Sequence, residues 1–104
     1  MPTVTVTYPR CEGATFDFDY YQATHLPLVA SRWRNAGLTG AQALRGTSAA
    51  DGSAAPYLAI ALISFDTDES MHAAMTGPHI GEIAGDIPNF TNVQPVIQIN
   101  EKIG

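Results

Sequence analysis

Three histidines, ten carboxylates and one cysteine are the residues of this sequence whose types suit acid/base, metal or nucleophilic chemistry. His25 stands out among them. It follows Tyr21 by four residues and precedes Pro27 by two. An imidazole titrates near ~6.5, which suits it to moving protons at neutral pH. The competing reading is a histidine satisfied within the core, or bonded to the carbonyl that Pro27 leaves without a donor. Asp86 lies between Gly85 and Ile87-Pro88, a turn-like setting where a carboxylate can cap a helix end or orient an imidazole. His72, near Asp68 and Glu69, reads as part of a solvated face, and His79 with Glu82 is an ordinary helix pair. None of the histidines has metal-ligand spacing, so no metal site is expected. Cys11 falls in a loop and reads as an ordinary loop cysteine. The glycine-bearing stretches lack both the P-loop lysine and the GxGxxG spacing, which disfavours nucleotide cofactors.

The elements that must position these residues follow from periodicity. Residues 3–8 alternate strictly, with Val4, Val6 and Tyr8 on one face and Thr3, Thr5 and Thr7 on the other, which predicts a half-buried strand. Asp17 or Asp19 can cap a helix that runs to about Asn35 and stops at Gly37, with Phe18, Tyr21 and His25 on one stripe and Leu26, Val29 and Trp33 on the next. Pro27 interrupts that pattern, so a kink beside His25 is expected. Residues 38–45 read as a second strand, and Gly46 to Pro56 as a hairpin loop.

Tyr57 to Phe65 is apolar on both faces, with Leu58, Ile60 and Leu62 on one of them, and belongs in the middle of a sheet. Ala59 and Ala61 leave room there for a close-packed helix or a ligand cavity. Asp66 to Glu69 opens a helix ending near Gly77-Pro78, a short helix follows over about His79 to Gly85, and residues 93–99 form a last strand, at an edge because of Pro95.

Strand, helix, strand, strand, helix, strand is the order of an α+β, ferredoxin-like split βαβ fold: a four-stranded antiparallel sheet with helices on one face. Its other face is left bare. Burial of apolar area stabilises by about 25 cal/mol per Å², so a second copy covering that face, and thus a homodimer, is expected.

With 104 residues the chain suits one domain, 1–104, and its 45% hydrophobic and 14% charged composition is globular. A net charge of −5 without a basic cluster makes nucleic acid and anionic membranes poor partners. The longest apolar run, Tyr57 to Ile63, is far short of the ~20 residues that span a bilayer, and Met-Pro-Thr-Val-Thr lacks the features of a signal peptide. One cysteine allows no intrachain disulfide, so a cytoplasmic protein is expected.

The segments Phe16-Asp17-Phe18-Asp19-Tyr20-Tyr21, His25-Leu26-Pro27-Leu28 and Asp86-Ile87-Pro88-Asn89-Phe90-Thr91-Asn92 together resemble the EthD-like family, named for ethyl tert-butyl ether degradation. The resemblance covers nearly the whole chain. It implies the dimeric α/β barrel superfamily, in which two ferredoxin-like sheets meet as a barrel with pockets between the sheet and helices of one subunit. That superfamily includes cofactor-free monooxygenases, lactone isomerases, polyketide-tailoring enzymes and haem-binding enzymes, and fold does not choose among them. The motif positions carried over are Tyr20, Tyr21, His25, Pro27, Leu28, Asp86, Asn89 and Phe90.

The resulting expectation is a cofactor-independent enzyme of small-molecule catabolism. His25 and Asp86 would form its catalytic pair, and Tyr21, Trp33 and Phe90 would line an apolar pocket for a hydrophobic ligand. Two other readings stand beside it. One is a non-catalytic protein that binds a hydrophobic ligand; the other is a haem protein with His25 or His79 as axial ligand.

Overall fold

The computed structural model describes residues Met1–Gly104. Alternation over the first residues produces β1 (Pro2–Pro9), with Val4 and Tyr8 buried. Asp17 takes an extended conformation and accepts a hydrogen bond from the Tyr20 N–H at 3.1 Å, which starts α1 (Phe18–Tyr20). The irregularity expected beside His25 takes the form of a π-helical turn, Tyr21–His25, in which the Leu26 N–H bonds to the Tyr21 carbonyl five residues back. α2 (Leu26–Trp33) follows, with Pro27 in its first turn, where a missing N–H costs least.

β2 (Leu38–Arg45) and β3 (Tyr57–Phe65) are antiparallel neighbours within the expected bounds. Thr67 caps α3 (Asp68–Thr76) by accepting from the Ser70 N–H at 3.0 Å. α4 (Ile80–Asp86) runs directly into a 3₁₀ turn, Ile87–Asn89, so Asp86 ends a helix rather than sitting in an open turn. β4 (Val96–Glu101) starts three residues later than expected. Pro95 has no N–H for a ladder, pairing with β1 begins at Val96 opposite Thr7, and Val93 is buried ahead of the strand instead.

The sheet order is β2-β3-β1-β4, with every pairing antiparallel, so β3 is interior and β4 is an edge. The fold is α+β and ferredoxin-like. Ala59, Ala61, Ile63 and Phe65 are buried toward the helices, while Ile60 and Leu62 face the other way. Leu58 departs from the expected alternation. It is the extra residue where the β1 register shifts between Tyr8 and Pro9, and it is buried with Tyr8 and Tyr21.

Two apolar clusters lie between sheet and helices. One gathers Val29 and Trp33 of α2 with Val4, Ile63, Phe65 and Met71; burial of each large side chain there contributes about 1.5–3 kcal/mol. The other gathers Tyr8, Tyr21, Leu58, Ala59, Phe90 and Val93.

The bare face is graded. Across the sheet, Leu44, Ile60, Thr7 and Val96 share one row, Gln42, Leu62, Thr5 and Gln98 the next, and Gly40, Ser64, Thr3 and Asn100 the third. Ile97 and Ile99 pair with Val6 and Val4 and therefore lie on the helix side, exposed along the β4 edge. No helix is long and apolar enough to cross a membrane.

Candidate active site

The site is assembled where two distant segments are tied together. Phe16 bridges Thr91, the Asp17 N–H donates to the Phe90 carbonyl at 2.7 Å, and the Thr91 hydroxyl donates to the Thr15 carbonyl at 2.6 Å. Asn92 adds two bonds, accepting from the Thr15 N–H at 2.9 Å and donating to the Gly13 carbonyl at 3.0 Å. These bonds fix the end of the 3₁₀ turn against the start of α1. Asp86 is thereby brought beside the π-helical turn.

His25 Nδ1 lies 2.9 Å from Asp86 Oδ2. The other carboxylate oxygen, Oδ1, accepts from the Tyr20 hydroxyl at 2.6 Å and from Asn89 Nδ2 at 3.0 Å. The Asp86 side chain makes no capping bond to the 3₁₀ turn, so it serves these three groups instead. Partial burial works against its charge, but the hydrogen bonds from Tyr20, Asn89 and His25 outweigh that and hold the carboxyl below the usual carboxylate range. An ionised carboxylate only accepts, so the hydrogen on the neutral imidazole is assigned to Nδ1, and Nε2 carries the lone pair.

The imidazole is 4% exposed and enclosed by aromatic rings. Tyr21 stacks on it at 5.6 Å between ring centroids with 17° between planes, and Phe90 lies at 4.6 Å. Tyr8 meets Tyr21 at 6.2 Å and Phe90 at 5.9 Å, edge to face. No fully buried side-chain nitrogen or oxygen is without a hydrogen-bond partner. His25 Nε2 and the Tyr8 and Tyr21 hydroxyls bond to no protein group, so each keeps a small solvent-accessible area. Burial pushes the Tyr21 hydroxyl up to about 12 and the Tyr8 hydroxyl higher still, so both remain neutral donors at physiological pH.

Of the residues singled out in the sequence, His25, Asp86, Tyr21 and Phe90 come together. Trp33 does not join them: it is buried in the other cluster and borders a narrow, wholly apolar cleft of about 40 Å³ with Val6, Ile80 and Ile97. His79 is exposed at the start of α4, and no three His, Cys, Asp or Glu side chains gather as a metal site would need. Three contributors were not assigned a role from the sequence. Asn89 stands three residues after Asp86, a spacing that could have pointed to it. Tyr20, 66 residues from its partner, was marked only as a position of the family resemblance, as was Asn89, and Tyr8 reads only as a strand residue.

A four-stranded β2-β3-β1-β4 sheet with helices on one face defines a ferredoxin-like protein. An EthD-like protein from Ralstonia eutropha JMP134 is 37% identical over 96% of this chain and 89% of its own, with a TM-score of 0.85. An ethyl tert-butyl ether degradation family protein from Bacillus halodurans C-125 is 23% identical over 99% of both chains, with a TM-score of 0.76. SnoaB, a cofactor-independent oxygenase from Streptomyces nogalater, shares the fold with a TM-score of 0.66 at 10% identity, over 97% of this chain and 90% of its own. No family model and no curated protein matches the chain. The chain belongs to the EthD-like family.

Proposed function

We propose that this protein is a cofactor-independent enzyme of small-molecule metabolism that moves a proton on a hydrophobic substrate. The observation that carries this reading is the His25–Asp86 pair: one imidazole nitrogen is committed to a tethered carboxylate, and the other bonds to no protein group. Nε2 takes the proton from an acidic C–H or O–H of the substrate. The imidazolium that forms is stabilised by Asp86, and it returns the proton to the product. The Tyr8 and Tyr21 hydroxyls, as neutral donors, suit the oxygen on which negative charge develops. Phe90 and Tyr21 supply apolar walls. The cofactor-independent chemistry of SnoaB on the same fold supports the reading by analogy alone.

The working unit in this proposal is a homodimer built on the bare sheet face, where Leu44 and Val96 stand more than half exposed in one row with Ile60. The net charge of −5 disfavours nucleic acid and anionic membranes as partners. The lone, exposed Cys11 fits the reducing cytoplasm.

Hydrogen exchange at carbon tests the proposal without knowledge of the full reaction. Hydrophobic 1,3-dicarbonyl and hydroxyaromatic compounds are incubated with the protein in D₂O and followed by NMR. Catalysed exchange of C–H for C–D that His25→Ala abolishes is the expected result. Binding without exchange across the set would leave a ligand-binding protein and overturn the enzymatic reading.

A further inference from the structure

The helix-side face of the sheet is only partly roofed. In register across it lie Tyr8, Ala59 and Arg45, then Val6, Ala61 and Ala43, then Val4, Ile63 and Ala41. The members on β1 and β3 are largely buried under the helices, whereas Ala41, Ala43 and Arg45 of β2 are exposed. Between β2 and the first helical segment is a cavity of about 150 Å³, walled by Phe18, Tyr21 and Leu26 and floored by Ala43. That volume matches a dry cavity able to admit one benzene-sized ring.

Arg45 closes one end. Its guanidinium stacks over the Phe18 ring with Cζ 4.3 Å from the centroid. Stacking uses the face of the guanidinium and leaves its edge of N–H donors free, the edge that matches a carboxylate in bidentate fashion. Arg45 has no carboxylate of the chain within ion-pair distance, whereas Arg32 is paired with Glu82. Four of the five basic side chains have no acidic partner, and Arg45 is the one of them that lines this cavity. Tyr21, 2% exposed and with a hydroxyl that no protein group satisfies, lines the same cavity and stacks on His25 from there.

We infer that this groove binds a planar, apolar carboxylate: the ring lies on Ala43 between Phe18 and Leu26, and the carboxylate is held by the edge of Arg45. This rests on the proposed function in that it names a substrate class for the site at His25. Its physical basis is separate, because Arg45, Phe18, Leu26 and Ala43 take no part in the proton transfer, and Tyr21 alone is shared with that site. The three parts divide the work. Small β2 side chains make the space, the aromatic and aliphatic walls select for flatness, and the cation at its end selects for an anion that the rest of the chain repels.

Benzoate and 2-naphthoate are the probes, compared with their neutral counterparts benzyl alcohol and 2-naphthalenemethanol by calorimetry and NMR shift mapping. The carboxylates should bind about tenfold or more tightly than the alcohols, as one charged hydrogen-bonded contact implies, with shifts centred on Phe18, Ala43 and Arg45 and affinity falling as salt rises. Arg45→Gln should erase the preference, and Ala43→Leu should block all four compounds. Both positions are exposed, and unchanged circular dichroism would confirm that the variants fold. Equal affinity for acid and alcohol, a preference that survives Arg45→Gln, shifts centred elsewhere, or no binding by either carboxylate would overturn the inference. Arg34→Gln, at an exposed cation outside the groove, should bind benzoate as the wild type does. Groove binding without any His25-dependent exchange would sink the enzymatic reading alone, and exchange without groove binding would sink this one alone.

Discussion

His25 and Asp86, 61 residues apart in the chain, are joined by a 2.9 Å hydrogen bond whose carboxylate end is itself held by Tyr20 and Asn89. A carboxylate with three donors cannot follow the imidazole if it turns, so the ring orientation is set by the protein rather than by the ligand. His25→Ala should therefore lower catalysed C–H exchange by ~10²–10⁴ while leaving ligand affinity within a few fold. The double variant His25→Ala/Asp86→Asn should be little worse than His25→Ala alone, because groups acting as a unit are not additive. Additive losses would show Asp86 acting independently of the imidazole.

The tautomer offers a direct readout of the same relationship. Imidazole ¹⁵N shifts in wild-type protein should show the hydrogen on Nδ1, and Asp86→Asn should weaken that preference. An unchanged tautomer in the variant would remove the positioning role of Asp86.

Stability should respond to acid in a defined direction. The Asp86 carboxyl is held below its ordinary range in the folded protein. The stabilisation this provides is present above the unfolded-state carboxylate value of ~3.9 and is lost as pH falls through the lower folded-state value. In urea titrations, wild type should exceed Asp86→Asn in stability at pH 7, and the gap should close in acid below that folded-state value. A gap of equal size at both pH values would mean that the ionised form gains nothing from its three donors.

Trp33 belongs to the structural cluster with Val4 and Phe65, not to the aromatic enclosure of His25. Trp33→Ala should cost about 3–5 kcal/mol in a urea titration, the usual penalty for emptying such a site, with benzoate affinity unchanged in the protein that remains folded. A small loss of stability with a large loss of affinity would instead place Trp33 in the ligand pocket.

Sedimentation should give twice the chain mass, and Ile60→Lys should give the monomer without lowering helix content. Ile60 lies on the bare face at an interior strand, where a lysine reaches water in a monomer but is trapped between two sheets. A dimer that tolerates Ile60→Lys must be formed on some other surface.

How much of this was legible in the residues depended on range. β2 and β3 matched their expected limits because alternation and the apolar run from Tyr57 are local patterns. Asp17 was legible as a cap for the same reason. β4 was misplaced by three residues because Val93 satisfies the alternating pattern yet is buried by Tyr8 and Phe90, a tertiary choice. His25 and Asp86 could be named as candidates from residue type and family resemblance. The bond from Tyr20 to Asp86 could not, since neither residue carries a mark of the other. Which sheet face Ile97 and Ile99 take was not legible from the strand alone: they lie on the helix side, a matter of register that only the β1 pairing decides.

The widened turn from Tyr21 to His25 means that the helical segment carries one residue more than an unbroken α-helix of the same reach would need. Losing a single residue such as Thr24, which is exposed, would let the turn relax into regular α-helix. The residues on either side would keep their faces, because the deletion removes just the residue that the widened turn absorbs. The extra residue therefore sets the packing within Tyr21–His25, where the imidazole lies against the Tyr21 ring, and not the direction of α2 beyond it.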